Sequence, residues 1–206
     1  MNKKKQTLKE NFIEAFKKYK NHDFKNAERT CYKRLSIDPN HFDSILLLAT
    51  ISAVKGNYDN AKELMIKAIE IRPKDTGALN NLGTAYKELG KLKEATNIYK
   101  KVLTINPNHI NANYNLGLLF YDLRELKIAK IYFRKTVEVS KNYARGFFCL
   151  GNVHANLKET KDAINCYQKA IEINPNLPDA HNNLGLAFRD LNDFQNAENC
   201  YLKSVE

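Results

Sequence analysis

A period of 34 residues constrains what this chain can fold into more than any other feature of its 206 residues. The clearest unit runs from Thr76 to His109, TGALNNLGTAYKELGKLKEATNIYKKVLTINPNH. Leu79, Leu82, Gly83 and Tyr86 stand at i, i+3, i+4 and i+7, the spacing of one helical face. Gly90 interrupts that face, as glycine does where a helix ends in a left-handed residue. A second apolar stripe follows through Ala95, Tyr99, Val102, Leu103 and Ile105, and Pro107 stops it. With Thr76 as position 1, position 20 is alanine six times, at Ala27, Ala61, Ala95, Ala129, Ala163 and Ala197. Position 8 is always small: Ala15, Ala49, Gly83, Gly117, Gly151 and Gly185. Position 24 is large or soft, as Cys31, Met65, Tyr99, Phe133, Tyr167 and Tyr201. Position 30 is β-branched in Ile37, Ile71, Ile105, Val139 and Ile173, and position 32 is proline except at Lys141.

One helical hairpin of this size cannot bury its apolar face, so neighbours must stack to make a continuous core. Small residues at positions 8 and 20 let helices approach, while the bulk at 4, 7, 11 and 24 fills the remaining space. The expected architecture is all-α, an α-solenoid of antiparallel hairpins in a single array over 8–206, after a frayed tail over 1–7. The repeats are 8–41, 42–75, 76–109, 110–143, 144–177 and an incomplete 178–206. Small at 8, aromatic at 11 and 24, alanine at 20 and proline at 32 resemble the tetratricopeptide repeat. The resemblance is specific for fold and unspecific for function, because such repeats serve unrelated partners.

Several departures from the pattern carry expectations of their own. In repeat one, Glu14 and Lys18 occupy the apolar positions 7 and 11, which implies a rotated first helix or a turn shortened by one residue. Repeat two has a very apolar first helix, DSILLLATISAVKG. Either repeat one folds over it or Leu46, Leu47, Ala53 and Val54 leave an apolar patch. Arg124 and Lys158 stand where Gly56 and Gly90 stand in other repeats, which implies a different turn geometry. Lys141 in place of proline allows a longer second helix in repeat four. Pro178 suits the first turn of its helix, with Asp179 beside it.

A net charge of +10 raises nucleic-acid binding, but lysines are scattered among interleaved acids, so nucleic acid is disfavoured. No apolar run reaches membrane-span length, and MNKKKQTLKE lacks the apolar segment of a secretory signal, so the cytoplasm is the expected location and membrane insertion is not expected. The four cysteines, Cys31, Cys149, Cys166 and Cys200, show no CxxC pair and read as free thiols. No catalytic motif appears, and no cofactor or metal is called for. The five histidines lie on different repeats; His154 and His181 fall in packing positions and read as structural, and Glu159 and Asp162 read as solvated turn residues.

If positions 4, 7, 8 and 11 face the stack, positions 2, 5, 9 and 12 face away, and in tetratricopeptide proteins that second face lines a concave groove. Position 6 borders it and holds Asn81, Asn115 and Asn183, interrupted by Cys149. This is similar to the asparagine ladder in the repeat region of O-linked N-acetylglucosamine transferases, where carboxamides grip the backbone of an extended peptide. A carboxamide both donates and accepts, so it can satisfy a peptide unit without reading its side chain. The other groove candidates are Asn80, Thr84, Lys87, Asn111, Tyr114, Tyr121, Arg145, Phe148, Asn152, Asn182 and Arg189, with Tyr114, Phe148 and Arg145 as anchors. No lysine occupies position 5 in repeats two to six, against a carboxylate clamp for chaperone tails. The leading expectation is a non-catalytic module binding an extended peptide or partner protein. Two others stand beside it: the substrate-recruiting N-terminal arm of a larger glycosyltransferase- or sulfotransferase-like enzyme, and a scaffold that self-associates through its uncapped C-terminal repeat.

Overall fold

A computed structural model describes residues 12–205, all helices and turns, with no strand among the described residues. The expected tail over 1–7 lies outside them. The chain divides into two compact units, one ending at Asn106 and the other beginning at Pro107. The first holds α1 (described over 12–20), α2 (Phe24–Leu35), α3 (Phe42–Val54), α4 (Tyr58–Ile71), α5 (Thr76–Glu88) and α6 (Leu92–Ile105). The second holds α7 (Ile110–Asp122), α8 (Leu126–Val139), α9 (Ala144–Asn156), α10 (Thr160–Ile173), α11 (Pro178–Asp190) and α12 (Phe194–Ser204). Odd and even helices pair as hairpins, and within each unit the hairpins stack in chain order as an α-solenoid. The first helices of successive repeats also touch, α3 on α5, α7 on α9 and α9 on α11.

The leucine of position 7 makes the stacking bond. Leu48 is buried among Ala15, Ala27 and Cys31 of the preceding repeat, Leu82 against Ala49 and Met65, and Leu150 among Ala129, Phe133 and Val137. Each such burial stabilises by roughly 1.5–3 kcal/mol. The hairpin itself is closed by positions 8 and 24. A Cβ built on Gly83, Gly117, Gly151 or Gly185 would lie 2.6–2.7 Å from the ring of Tyr99, Phe133, Tyr167 or Tyr201 respectively. Where position 8 is alanine, at Ala15 and Ala49, position 24 is Cys31 or Met65 instead. The ring therefore lies against bare backbone, and a methyl is tolerated only beside a slimmer side chain.

All six interhelix turns share one geometry. The residue at position 15 is left-handed in every repeat: His22 (φ 60°), Gly56 (76°), Gly90 (72°), Arg124 (60°), Lys158 (62°) and Asn192 (61°). The next amide reaches back to the carbonyl of position 11, as Asp23 to Lys18, Glu125 to Phe120 and Glu159 to His154, closing a Schellman motif. The different geometry expected at Arg124 and Lys158 is therefore corrected. Packing of the two flanking helices fixes the turn and holds non-glycine residues in a conformation they disfavour.

Repeat one is corrected in the same way. Its turn is full length, and Ala15 is wholly buried at position 8, so the helix keeps its register. Glu14 is exposed because position 7 elsewhere packs on the preceding repeat; it pairs instead with Lys18 at 2.6 Å. Of the four residues of the apolar excess, repeat one covers Leu47, Leu46 packs beside Ala49, Met65 and Leu82, and Ala53 and Val54 are left over, Val54 56% exposed. The longer second helix expected from Lys141 is absent: α8 has 14 residues, as do α4, α6 and α10. Ser140 turns extended (φ −127°, ψ 92°) as Asn106 and Asn174 do, so backbone geometry ends the helix without the proline. Pro178 does open α11, with Asp179 in its first turn. All four cysteines are free.

Candidate functional site

The first helices of consecutive repeats touch within each unit, so their outward positions form one surface, and that surface is indented between repeats. In the first unit a pocket of about 280 Å³ opens between repeats two and three. Thr50, Ala53, Val54, Tyr58 and Met65 line one wall, at positions 9, 12, 13, 17 and 24. Asn81, Thr84, Ala85 and Glu88 line the other, at positions 6, 9, 10 and 13. In the second unit a pocket of about 230 Å³ opens between repeats five and six. Its walls are Asn152, Ala155, Asn156, Thr160 and Tyr167, then Asn183, Leu186, Ala187 and Asp190, with Tyr121 added from repeat four. Apart from Tyr121 here and Ala61 in the first pocket, the positions match, 102 residues further on. The helix spacing places the same cavity in both units, and the side chains alone make them differ.

Hydrogen bonds tie the second pocket together. Asn152 Oδ1 accepts from the Tyr167 hydroxyl and from Asn183 Nδ2, both at 2.9 Å. Asn156 Nδ2 donates to the Asn152 carbonyl at 2.8 Å and to the Tyr121 hydroxyl at 3.1 Å. In the first unit Thr84 Oγ1 bonds the Tyr99 hydroxyl at 3.1 Å. A polar residue at position 9 thus satisfies a buried phenol at position 24, and Leu118 stands there where position 24 is Phe133, which has no hydroxyl. Burial pushes the Tyr99 phenol up to about 12 and the Tyr167 phenol higher still, so both stay neutral donors. Thr84 and Asn152, expected as free groove groups, therefore also hold the core in place.

The structure brings Asn81 and Thr84 together in the first pocket, and Tyr121, Asn152 and Asn183 in the second. Asn80 is buried, 6% exposed, which corrects its expected place on the open surface. Lys87 is half-buried, 3.5 Å from Glu88. Asn111, Arg145, Asn182 and Arg189 are exposed, and Asn115 is half-buried. Tyr114 packs edge-on to Tyr143 and Phe133, and its hydroxyl lies 3.7 Å from Cys149 Sγ. Phe148 leans on Tyr167 with ring centroids 6.1 Å apart. Two of the three expected anchors are thus partly engaged in packing, and only Arg145 is exposed. Ala53 and Val54, expected as part of an apolar patch, line the first pocket, while Thr50, Glu88, Asn156 and Asp190 were missed from the sequence. Positions 9 and 12 of repeat two follow from the stated rule, and position 13 lies one turn beyond position 9 on the same face.

The histidines behave as expected, but the acids beside His154 do not. His181 is 8% exposed and its Nε2 bonds the Pro175 carbonyl at 3.0 Å. His154, 6% exposed, has Nδ1 2.5 Å from Glu159 Oε2, and Lys130 Nζ reaches that same oxygen at 2.5 Å. Glu159 is therefore a link between repeats four and five rather than a solvated turn acid. The hydrogen bonds from Lys130 and His154 hold its carboxyl below the usual carboxylate range. His154, Glu159 and Asp162 bring three possible metal donors within 4.8 Å of one another, but the Lys130 ammonium already satisfies the central one. Among the described residues no helix is long and apolar enough to cross a membrane.

No curated protein matches the sequence. A family model described as anaphase-promoting complex, cyclosome, subunit 3 matches residues 20–102. Among solved structures, MamA is 25% identical, covering 77% of this chain and 92% of its own, with a TM-score of 0.70. PilF of Pseudomonas aeruginosa is 19% identical over 97% of this chain and 90% of its own, with a TM-score of 0.87. YrrB, described as a TPR protein with an unusual peptide-binding site, is 21% identical over 85% of this chain and 90% of its own, with a TM-score of 0.68. The last two likenesses concern fold alone. Family models for the TPR repeat match at 84–123 and 156–192 and another at 110–143, and by these matches the repeats of this chain are recognised as tetratricopeptide repeats.

Proposed function

We infer that the chain is a protein–protein interaction module and that it holds an extended segment of a partner on the surface made by its first helices. The observation that carries this reading is the recurrence of one pocket at matching positions in both units, each time with an asparagine from position 6 in its wall. A side-chain-sized cavity beside a carboxamide is the arrangement an extended peptide requires: the amide satisfies the main chain while the cavity takes what projects from it. The likeness to YrrB supports it. So does the mixture of amide, aromatic and arginine side chains along the surface, which is the composition of interfaces that bind by a few anchors.

The test begins with a partner captured by the intact chain and a segment of it whose affinity is measured by calorimetry. Alanine at Asn81, Asn115 and Asn183 together removes three neutral hydrogen-bonding groups, each contributing about 0.5–1.5 kcal/mol, so affinity should fall by about tenfold or more. Helicity by circular dichroism should not change, because Asn81 and Asn115 are half-buried and the side-chain partners of Asn183, Asn152 and Asn182, are surface groups of the same helix layer and not part of its backbone. Unchanged affinity removes the asparagines from the binding surface.

A further inference from the structure

Two pockets at matching positions differ in what lines them, and the difference bears on what each accepts. The wall from repeat two presents Ala53, Val54 and Met65, where repeat five presents Ala155, Asn156 and Tyr167. Val54 is 56% exposed at the mouth and Met65 is buried at the floor, so an apolar side chain entering there meets apolar atoms along the repeat-two wall. In the second unit the matching lip is Asn156, bonded to Tyr121, and the matching floor carries the Tyr167 hydroxyl bonded to Asn152. An apolar group entering there would meet paired amides and hydroxyls in place of the valine and methionine atoms, and would gain less from burial. Position 13 on the far wall is acidic in both, as Glu88 and Asp190. Glu88 is the one charged residue among those lining the first pocket, and Lys87, next to it in sequence, pairs with it at 3.5 Å. That loose pairing leaves the carboxylate able to favour a basic neighbour and to repel an acidic one.

We propose that the pocket between repeats two and three is a subsite for an aliphatic side chain of an extended peptide, flanked on that peptide by lysine or arginine. Its counterpart between repeats five and six is closed to such a side chain by polarity, not by shape. The proposal rests on the peptide-binding reading above and adds the class of residue read. Selectivity then resides in positions 13 and 24 of the repeat whose wall faces the peptide: valine over methionine opens the subsite, asparagine over tyrosine closes it. Asn81, on the opposite wall, supplies the main-chain bond and is indifferent to the side chain.

The experiment titrates the full chain, methyl-labelled at valine and methionine, with the capped heptapeptide Gly-Ser-Lys-Leu-Lys-Ser-Gly. Two control peptides carry serine for leucine, or glutamate for both lysines. The Val54 and Met65 methyl resonances should shift and saturate with the leucine peptide, and each control should bind about tenfold more weakly or worse. Val54→Asn, at a residue exposed enough to leave folding intact, should weaken the leucine peptide by a similar factor and leave the serine peptide unchanged. Asn81→Ala should weaken leucine and serine peptides alike. If leucine and serine peptides bind equally at the groove, or Val54→Asn changes neither, the aliphatic subsite is wrong and the peptide-binding reading stands. If no resonance of the groove moves with any of the three peptides, both are wrong.

Discussion

A single methyl group separates the two ways this chain closes a hairpin. Gly151 lets the Tyr167 ring lie against the α9 backbone, and a Cβ there would sit 2.6 Å from a ring carbon. Gly151→Ala should therefore destabilise the second unit by about 1–3 kcal/mol, despite the better helix propensity of alanine. Tyr167→Met in the same chain should recover part of that loss, because alanine over methionine is what Ala49 and Met65 already do. A double-mutant cycle by chemical denaturation reads the coupling, and simple additivity of the two substitutions would show that ring and glycine are not in competition. Both columns were legible in the sequence as small and as large. That they vary together, alanine with Cys31 or Met65 and glycine with an aromatic, was equally on the page but needed the contact to acquire a meaning. The exposed amides were harder. Thr84 and Asn152 occupy outward positions, yet each turns back to satisfy a buried phenol, a commitment that helical periodicity does not reveal.

At the scale of the element, the interhelix turn shows how packing overrides local preference. Glycine at position 15 announced the left-handed turn in Gly56 and Gly90, while Arg124 and Lys158 argued against it, and the argument failed because the flanking helices dictate where the chain must reverse. Lys158 is exposed and its Cβ bears the conformational cost, so Lys158→Gly should stabilise the protein by about 0.5–1 kcal/mol after the added chain entropy of glycine is counted. A rise in the denaturation midpoint with an unchanged slope is the expected outcome; a fall would place the cost of the turn elsewhere. The helix ends follow the same logic. Proline at position 32 marked the stop of the second helix in most repeats, yet α8 ends at the same point without it, so the proline accompanies the stop and does not cause it.

At the scale of the whole molecule, period and composition made the all-α stacked architecture plain, because stacking buries the leucine at position 7 of repeats two to six. The links between repeats were less readable, since they join residues of different columns. Lys130 of repeat four meets Glu159 of repeat five, which also bonds His154, and no periodic pattern foretells that triad. Its electrostatics set a pH dependence with a definite sign. The folded-state pKa of Glu159 is depressed, so its contribution is complete above the ordinary carboxylate value of about 4.3 and is lost as the pH falls through the lower folded value. The stability gap between the native chain and Lys130→Met should accordingly be present at neutral pH and shrink as the solution is acidified below that range. Urea midpoints across that span measure it, and a gap that stays constant into acid would mean that Lys130 acts by packing alone.

The glycine-and-ring pairing also dictates the order in which such a hairpin can change. Starting from alanine over methionine, losing the methyl first leaves only a small void, a loss the chain survives, and a tyrosine can then be admitted. The opposite order passes through alanine beneath tyrosine, a collision between two well-held atoms. One road between the two states is therefore cheap and the other steep, and a repeat that has travelled it regains its alanine at least cost after it has given up its ring.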